Sequence, residues 1–247
     1  MPHTYVKTRP DAPAGFFAAE AAGLRWLSVP DGVPVAGVHA VTRTSLTIDR
    51  VPTGSPTLAA AEEFGRRLAA THDAGAAFFG VGPDDGPGVG WIGDAPLPLR
   101  TVAPASWGAW YAEDRLLFHA RRAGIADPAL DRVLERLAFG YFDDDAPPAR
   151  IHGDLWSGNV LWSPDGVVLI DPAAHGGHRL TDLAMLALFG TPHLARIHAA
   201  YAEASDQLPD GWDELIGLHQ LHPLLVHAEL FGGGYRAQAV DAARRYS

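Results

Sequence analysis

Residues 150–162, RIHGDLWSGNVLW, place several polar side chains between two short apolar runs that favour strands. His152, Asp154 and Asn159 follow the spacing HxDxxxxN, and Asp171 comes twelve residues after Asn159, at the end of an apolar run. Phosphoryl transfer needs one carboxylate to accept the proton of the attacking hydroxyl and oxygen ligands for Mg²⁺. The pattern therefore predicts Asp154 as the base and Asn159 and Asp171 as Mg²⁺ ligands.

A lysine and a glutamate near the N-terminus complete this set. Lys7 is the only lysine in the chain, and it lies in the alternating segment 4–8, which predicts a strand. Residues 14–28 predict a helix on which Glu20 shares the apolar face. A strand lysine held by a helix glutamate can contact nucleotide phosphates. The alternative is that Lys7 is a solvated strand residue and Glu20 an ordinary helix residue.

The remaining pattern predicts an α+β protein, with a small part of strands and one helix followed by a larger, mainly helical part. Besides residues 4–8, the predicted strands are 35–41, 45–51, 159–163 and 167–171, and the predicted helices after the first are 57–75, 106–124, 127–140 and several beyond residue 180. Residues 78–104 are rich in Gly and Pro and predict an irregular connection. A ligand is expected in the cleft between the two parts.

Composition excludes several classes of function. The formal net charge of −10 disfavours a nucleic-acid partner, and the absence of cysteine excludes disulfides, thiol nucleophiles and cysteine zinc sites. No apolar stretch approaches the roughly 20 residues of a membrane span, and the first ten residues show no apolar signal core. We therefore expect a cytoplasmic protein with neither a membrane nor a nucleic-acid partner.

Taken together, HGDLWSGN and IDPAAHGGHRLTDLAMLALFG resemble the fructosamine kinase family, also called ketosamine-3-kinases, within the aminoglycoside phosphotransferase-like group. Trp156 and Ser157 are the discriminating residues, because the wider group more often has His-Pro at these positions. Similar segments extend from VK at residues 6–7 to HPLLVHAELFGGGY at residues 222–235, so that the resemblance covers essentially the whole chain.

This resemblance implies a protein kinase-like, two-lobed fold and ATP- and Mg²⁺-dependent phosphorylation of the 3-hydroxyl of ketosamines, carried on small amines or on glycated proteins. The unstable product would release the free amine, which implies a role in deglycation. Lys7 and Glu20 would contact the nucleotide, and residues 45–51 would form the hinge strand beside adenine. Trp156 would lie beside the sugar, since aromatic faces bind carbohydrate rings; a core position is the alternative.

The chain also departs from the family pattern. Only six residues precede Lys7, so the glycine-rich hairpin of the family is expected to be absent, leaving a truncated N-terminal lobe at residues 1–53 and a catalytic lobe at residues 54–247. This departure keeps a catalytically silent pseudokinase open. Gly176 and Leu180 stand where the family has a tyrosine and a glutamate. This change leaves the acceptor preference open, and an aminoglycoside-like acceptor is the second alternative.

Three other patterns are weak candidates for sites. The glycine-rich residues 80–93 are interpreted as a flexible loop rather than a phosphate-binding cradle. His152, His175 and His178 could suggest zinc, but they lack an HExxH spacing. The acidic run at residues 143–145 predicts a solvated turn.

Overall fold

The N-terminal lobe is a three-stranded antiparallel sheet covered by one helix. The structure is a computed structural model that describes residues 3–247; Met1 and Pro2, which are part of the predicted N-terminal lobe, lie outside the described residues. The strands β1 (Thr4–Thr8), β2 (Val38–Val41) and β3 (Ser45–Asp49) have the order β1-β3-β2, so β3 is central. The α1 helix (Phe16–Leu27) lies between β1 and β2 in the chain.

The apolar face predicted for α1 is confirmed. Phe17 and Leu24 are buried against Leu46 and Ile48 of β3, in one hydrophobic cluster. Glu20 lies one turn from each of these helix residues and is only partly exposed, so its carboxylate is held at the edge of the apolar face. Packing of the helix on the central strand thus brings Glu20 towards β1, which carries Lys7.

The C-terminal lobe is mainly helical, and the division of the chain between residues 53 and 54 stays a prediction. Its helices are α2 (Leu58–Asp73), α3 (Trp107–Trp110), α4 (Phe118–Ala123), α5 (Pro128–Ala138), α6 (Leu180–Leu188), α7 (Leu194–Ala204), α8 (Ile216–His219), α9 (Leu221–Phe231) and α10 (Gly234–Ala243). A π-helical turn at Tyr111–Leu117 joins α3 to α4, so the helix predicted at 106–124 is continuous but not uniformly α-helical. Ser106 caps its start as predicted, with its Oγ accepting from the amide of Ala109 at 3.2 Å.

Two short strand pairs carry the chemistry-bearing segment. The first pairs β6 (Ala149–Ile151) with β9 (His175–Gly177), and the second pairs β7 (Val160–Ser163) with β8 (Gly166–Leu169), both antiparallel. These strands confirm the two strands predicted on either side of the polar residues within 150–162. Because β6 leads into this segment and β7 leaves it, both ends of the polar loop are fixed by strand pairing.

Residues 78–104 were predicted to be irregular, and this prediction is wrong in part. They contain a two-stranded hairpin of β4 (Gly90–Ile92) and β5 (Ala95–Leu97). Ile92, Ala95 and Leu97 are buried against the C-terminal lobe, while the Trp91 ring meets the Phe16 ring of α1 at 5.6 Å. Strands of three residues are too short to show a period, and their stability comes from these tertiary contacts. The hairpin bridges the two lobes.

No helix within residues 3–247 is long and apolar enough to cross a membrane. The longest of them, α2, has 16 residues and carries a charged face that includes Glu62, Glu63 and Arg66. The cytoplasmic location expected from the sequence stays a prediction.

Close contact between α2 and α7 generates a test of the core. A Cβ atom added at Gly65 would lie 2.3 Å from the carbonyl oxygen of Ile197, so one helix backbone packs directly on the other. We expect Gly65→Ala to lower the free energy of unfolding by about 1–3 kcal/mol, because the backbones must separate. Chemical denaturation would measure this change.

Gly234→Ala is the matched control, since a Cβ there meets only the flexible end of Gln238 at 3.9 Å. Alanine in a helix is favoured over glycine by up to about 1 kcal/mol, so this variant should be neutral or slightly more stable. Equal destabilisation of both variants would contradict close packing at Gly65.

Candidate active site

The β7–β8 hairpin brings three of the predicted site residues together. Val160 pairs with Leu169, so Asn159 and Asp171 emerge next to each other from the same end of the hairpin. The side-chain amide of Asn159 donates to the backbone oxygen of Asp154 at 2.8 Å and to its Oδ2 at 3.2 Å. It also reaches the backbone oxygen of Asp171 at 3.5 Å. One amide group therefore ties the predicted base to the segment that carries the second carboxylate.

Asp171 lies beyond the end of β8, although the sequence predicted it as the last strand residue. Its φ angle is +56°, in the left-handed region that non-glycine residues rarely adopt. Such conformations cost free energy and tend to persist where the surroundings enforce them, often at functional sites. The turn redirects the Asp171 carboxylate out of the hairpin and towards the N-terminal lobe.

Lys7 joins the two lobes. Its Nζ lies 2.5 Å from Oε1 of Glu20 and also contacts Oδ1 of Asp171. The predicted contact between Lys7 and Glu20 is thus confirmed, and the solvated alternative for Lys7 is wrong. Burial alone would lower the pKa of Lys7, but the charges of Glu20 and Asp171 outweigh burial and raise the pKa, so Lys7 stays protonated.

Asp182 accepts hydrogen bonds from the backbone of the polar loop. The sequence alone did not predict this role. Its two carboxylate oxygens accept the backbone amides of His152 at 2.7 Å and Gly153 at 2.9 Å. A third hydrogen bond, 3.1 Å long, comes from Nε2 of His72 on α2. Asp182 is fully buried in α6, and a carboxylate within the apolar run LTDLAMLAL was the sequence signal for such a role.

His152 and Gly153 shape the loop that carries Asp154. His152 is buried, its Nε2 donates to the carbonyl of Ile170 at 2.9 Å, and its Nδ1 accepts the amide of Asp154 at 3.2 Å. Gly153 has φ +80°, and a Cβ there would lie 2.3 Å from the carbonyl oxygen of Ala173. Only glycine fits both constraints. His152 therefore acts as a neutral brace between the loop and the Asp171 segment.

Trp156 lies on the surface of the site and not in the core. Its side chain is 41% exposed, so the core alternative for Trp156 is wrong. The indole ring covers the backbone of Gly158, where an added Cβ would approach the ring to 2.3 Å. Gly158 thus lets the ring lie flat against the loop, in a position fixed relative to Asp154.

Most of these side chains line one cavity of about 760 Å³, although Lys7 and the buried supports are not among its lining residues. Its floor is formed by Asp154, Asn159 and Asp171, with Glu20 and Trp156 at the sides. The β4–β5 hairpin, the segment 81–88 before it and α9 also contribute lining residues. The volume is in the usual range for a small-molecule site. The glycine-rich residues 80–93, interpreted from sequence as a flexible loop, therefore line the cavity in part.

The other weak candidates have structural roles. Asp144 was predicted to be in a solvated turn, but its carboxylate is half-buried and lies 3.0 Å from Nε2 of His178. Asp143 accepts the amide of Gly108 at 2.8 Å. Within residues 3–247, no cluster of three or more His, Asp or Glu side chains is arranged to hold a metal ion. Asp143 and Asp144 thus serve as acceptors for a backbone amide and an imidazole, respectively.

The carboxylates of Asp154 and Asp182 have pKa values shifted in opposite directions. Burial raises the pKa of Asp154 to about 7, against the opposing hydrogen bond from Asn159, and the charges of Asp171 and Asp182 raise it further. Burial acts in the same direction on Asp182, but the hydrogen bonds and charge of its donors, chiefly His72, hold its pKa below the usual value. Asp154 is thus poised to exchange a proton near neutral pH, whereas Asp182 stays ionised.

The donor set fits Mg²⁺ carried in with a nucleotide. Asn159 uses its amide nitrogen in the hydrogen bonds described above, which leaves its oxygen without a protein donor among residues 3–247. The Asp171 carboxylate is 42% exposed and opens to the cavity. Mg²⁺ is usually held by one or two protein oxygens together with substrate phosphates. A cage of protein ligands alone is therefore not required here.

Comparison with known proteins identifies the family. The model of the fructosamine kinase family matches residues 2–246. The chain therefore belongs to the fructosamine kinase family. Probable ketoamine kinases of Thermus thermophilus and Escherichia coli are each 33% identical to it, over 239 and 237 residues. Both alignments cover 93% of this chain, and they cover 82% and 80% of these relatives. The resemblance noted in the sequence is confirmed.

Solved structures support the same assignment for this fructosamine kinase family member. A Thermobifida fusca protein assigned as a fructosamine-3-kinase superposes with a TM-score of 0.87 at 49% identity, covering 98% of this chain and 84% of the other. An aminoglycoside phosphotransferase has a TM-score of 0.55 at 17% identity, covering 98% and 86%, which shows a shared fold alone. The two-lobed, kinase-like α+β fold is confirmed, and the protein is an ATP-dependent kinase.

The raised pKa of Asp154 predicts that this residue destabilises the fold at neutral and alkaline pH. A carboxyl whose folded pKa is raised stabilises the folded state at low pH, and this contribution is lost as the pH rises from about 4 through about 7. Asp154→Asn should therefore raise the free energy of unfolding at pH 8 by roughly 2–4 kcal/mol and change it little at pH 4. Denaturation in EDTA would measure this; a variant less stable at pH 8 would contradict the prediction.

The same substitution at Asp182 should have the opposite effect. A lowered folded pKa means that ionised Asp182 stabilises the protein above the ordinary carboxyl pKa, and this contribution is lost as the pH falls through the lowered value. An amide has one oxygen for two backbone donors, so Asp182→Asn should cost about 2–4 kcal/mol at pH 8. Amide hydrogen exchange at His152 and Gly153 should become faster, and unchanged exchange there would argue against the anchoring role.

Proposed function

We propose that this fructosamine kinase family member transfers the γ-phosphoryl group of ATP to the 3-hydroxyl of a ketosamine, a keto sugar joined through C1 to an amine. The observation that carries the proposal is the meeting of Asp154, Asn159 and Asp171 on the floor of one cavity, beside the exposed ring of Trp156. The family and the names of the probable ketoamine kinases support this class of acceptor.

Asp154 acts as the general base in this proposal. The 3-hydroxyl oxygen attacks the γ-phosphorus, its proton passes to the Asp154 carboxylate, and the bond between the γ-phosphorus and the β–γ bridging oxygen breaks to release ADP. The pKa near 7 suits this role, because a base with such a pKa is both ionised and basic enough at physiological pH. Asn159 keeps the carboxylate in place through the bond to Oδ2.

Lys7, Glu20, Asn159 and Asp171 form the nucleotide and metal site of the proposal. Protonated Lys7 would contact ATP phosphates while Glu20 orients it, and Asn159 and Asp171 would hold Mg²⁺. When bound, Mg²⁺ neutralises negative charge on the phosphate oxygens. Lys7 also contacts Asp171, so the lysine links the nucleotide-binding pair to the carboxylate proposed for the metal.

The adenine contact predicted at residues 45–51 shifts to the end of that segment. Most of these residues belong to β3, whose backbone is paired with β1 from Ser45 to Asp49 and with β2 on the other side. A strand that is paired on both edges has few backbone groups left for a base. The proposed adenine contact therefore falls after β3, from Val51 onward.

Trp156 is the proposed platform for the sugar. Its ring lies two residues from Asp154, and a carbohydrate ring stacked on the exposed indole face would bring a hydroxyl to the carboxylate. In this proposal the sugar is carried on a small amine or on a glycated protein, and loss of the amine from the 3-phosphate gives deglycation. Phosphorylation at C3 thus leads to release of the amine from C1.

Kinetics of Asp154→Asn would test the catalytic assignment. Removal of the base should lower kcat for ketosamine-dependent ADP release by roughly 10²–10⁴-fold while leaving the fold intact. Ribulosamine and fructosamine are the substrates, and ³¹P NMR of the product would locate the phosphate at C3. Asp165→Asn is the matched control, because Asp165 lies at the exposed turn of the same β7–β8 hairpin and should keep full activity.

Other outcomes separate the remaining hypotheses. ADP release with aminoglycosides but not with ketosamines would replace the acceptor class and keep the kinase chemistry. Undiminished turnover by Asp154→Asn would overturn the role of Asp154. Failure of the wild-type protein to release ADP with any acceptor, together with weak or no Mg²⁺-ATP binding by calorimetry, would favour the catalytically silent alternative.

A further inference from the structure

A continuous strip of aromatic rings leads away from the active site over the surface of the C-terminal lobe. It consists of Trp156, Phe189, His227, Phe231 and Tyr235, and is called the aromatic strip below. Neighbouring ring centroids are 6.5 Å apart for the first pair, 4.8 Å for the second, 5.5 Å for the third and 6.4 Å for the last. These separations are in the range of direct ring contacts. The strip is therefore one connected surface.

Three residues of the strip are large and apolar and are nevertheless exposed. Trp156 is 41% exposed, Phe189 37% and Phe231 67%. Exposure of several adjoining aromatic rings is unfavourable in water and commonly marks a surface that binds something. The strip is also continuous with the catalytic cavity, because Trp156, His227 and Phe231 line that cavity together with Asp154.

A further aromatic ring in the cavity lining comes from the β4–β5 hairpin. Trp91 lines the cavity there, and its ring is held by the edge contact with Phe16 at 5.6 Å. The Arg9 guanidinium lies over the Phe16 ring at 5.0 Å and pairs with Asp94 at the hairpin turn at 2.6 Å. Trp91 therefore lines the same cavity as three rings of the aromatic strip, those of Trp156, His227 and Phe231.

The geometry of a ketosamine fixes which part of the acceptor would reach the strip. The amine is joined to C1, only two carbons from the C3 hydroxyl that must lie at Asp154, so the carrier begins about 4 Å from the reacting oxygen. A secondary amine of this kind is protonated at neutral pH, and aromatic faces attract such cations. In the neutral ring of His227, Nδ1 donates to the carbonyl of Pro223 at 2.7 Å, which leaves Nε2 as an acceptor.

From these observations we infer that the aromatic strip binds the carrier of the ketosamine, and that the preferred carrier is a small amine with an aromatic or apolar substituent. This inference rests on the proposed function, and it names Phe189, His227 and Phe231 as specificity-determining residues. A small carrier fits best because the cavity volume of about 760 Å³ must also admit the phosphates of ATP.

Two ketosamines with the same sugar but different carriers, benzylamine and methylamine, would test the inference. Wild-type kcat/KM should be on the order of 5- to 10-fold higher for the benzylamine adduct, with the difference mainly in KM, because stacking on the strip is equal in the ground and transition states. Phe231→Ala and Phe189→Ala should each lower this preference by roughly 2- to 5-fold. Thermal unfolding would confirm that both variants are folded.

Phe139→Ala is the matched control, because Phe139 is 88% exposed and lies outside the cavity lining, so the carrier preference should not change. A wild-type preference near one, or a preference that Phe231→Ala and Phe189→Ala leave unchanged, would overturn the inference. It would also fail if a glycated peptide outcompeted the benzylamine adduct through the same residues. Sedimentation that revealed a dimer dissociated by Phe231→Ala would assign the strip to a second copy instead.

The two proposals fail in distinguishable ways. Absence of phosphorylation for both adducts would overturn the proposed function itself. Phosphorylation of both adducts with equal efficiency would keep the ketosamine kinase and remove only the role of the aromatic strip.

Discussion

The conformation of the active-site loop depends on buried hydrogen bonds to the Asp182 carboxylate. Two backbone amides of the loop and one imidazole of α2 donate to it, in a place where no water replaces a lost partner. Backbone donors that are buried without an acceptor cost several kcal/mol, so removal of this one group would leave His152 and Gly153 unsatisfied together. The position of Asp154, the next residue, is set by this anchor and by the His152 ring.

Burial disfavours ionisation of both Asp154 and Asp182, but they differ in how readily they ionise, because their neighbours differ. Asp182 is surrounded by donors, so ionisation is favourable despite burial. Asp154 has the Asn159 amide as its donor and two carboxylates as neighbours, so ionisation is costly. The stable carboxylate maintains the shape of the loop, and the unstable one can accept a proton. Asp182 therefore stabilises the loop, and Asp154, 28 positions earlier in the chain, provides the group that can accept a proton.

Local patterns in the sequence predicted the parts of the site that one element carries. The apolar face of α1 located Glu20, and the HxDxxxxN spacing with a following apolar run located Asp154, Asn159 and Asp171, because a short hairpin leaves little freedom for their separation. The β4–β5 hairpin could not be predicted in this way. Its strands of three residues are stabilised by Ala173, Val226 and Phe16, which are distant in sequence. A carboxylate within the apolar run of α6 signalled a buried role for Asp182, but no local pattern identified the loop amides as its partners.

Lys7 connects these local units into one site, since it contacts Glu20 of its own lobe and Asp171 of the other. Each contact alone joins partly exposed charges and would contribute little, but the lysine is buried enough that loss of either carboxylate would leave a poorly solvated cation. Phosphates entering the cavity would offer the lysine a new anionic partner and thereby free the Asp171 carboxylate for a metal ion. The bridging hairpin supports the same junction, because Trp91 contacts Phe16 of α1 and Asp94 pairs with Arg9 just after β1.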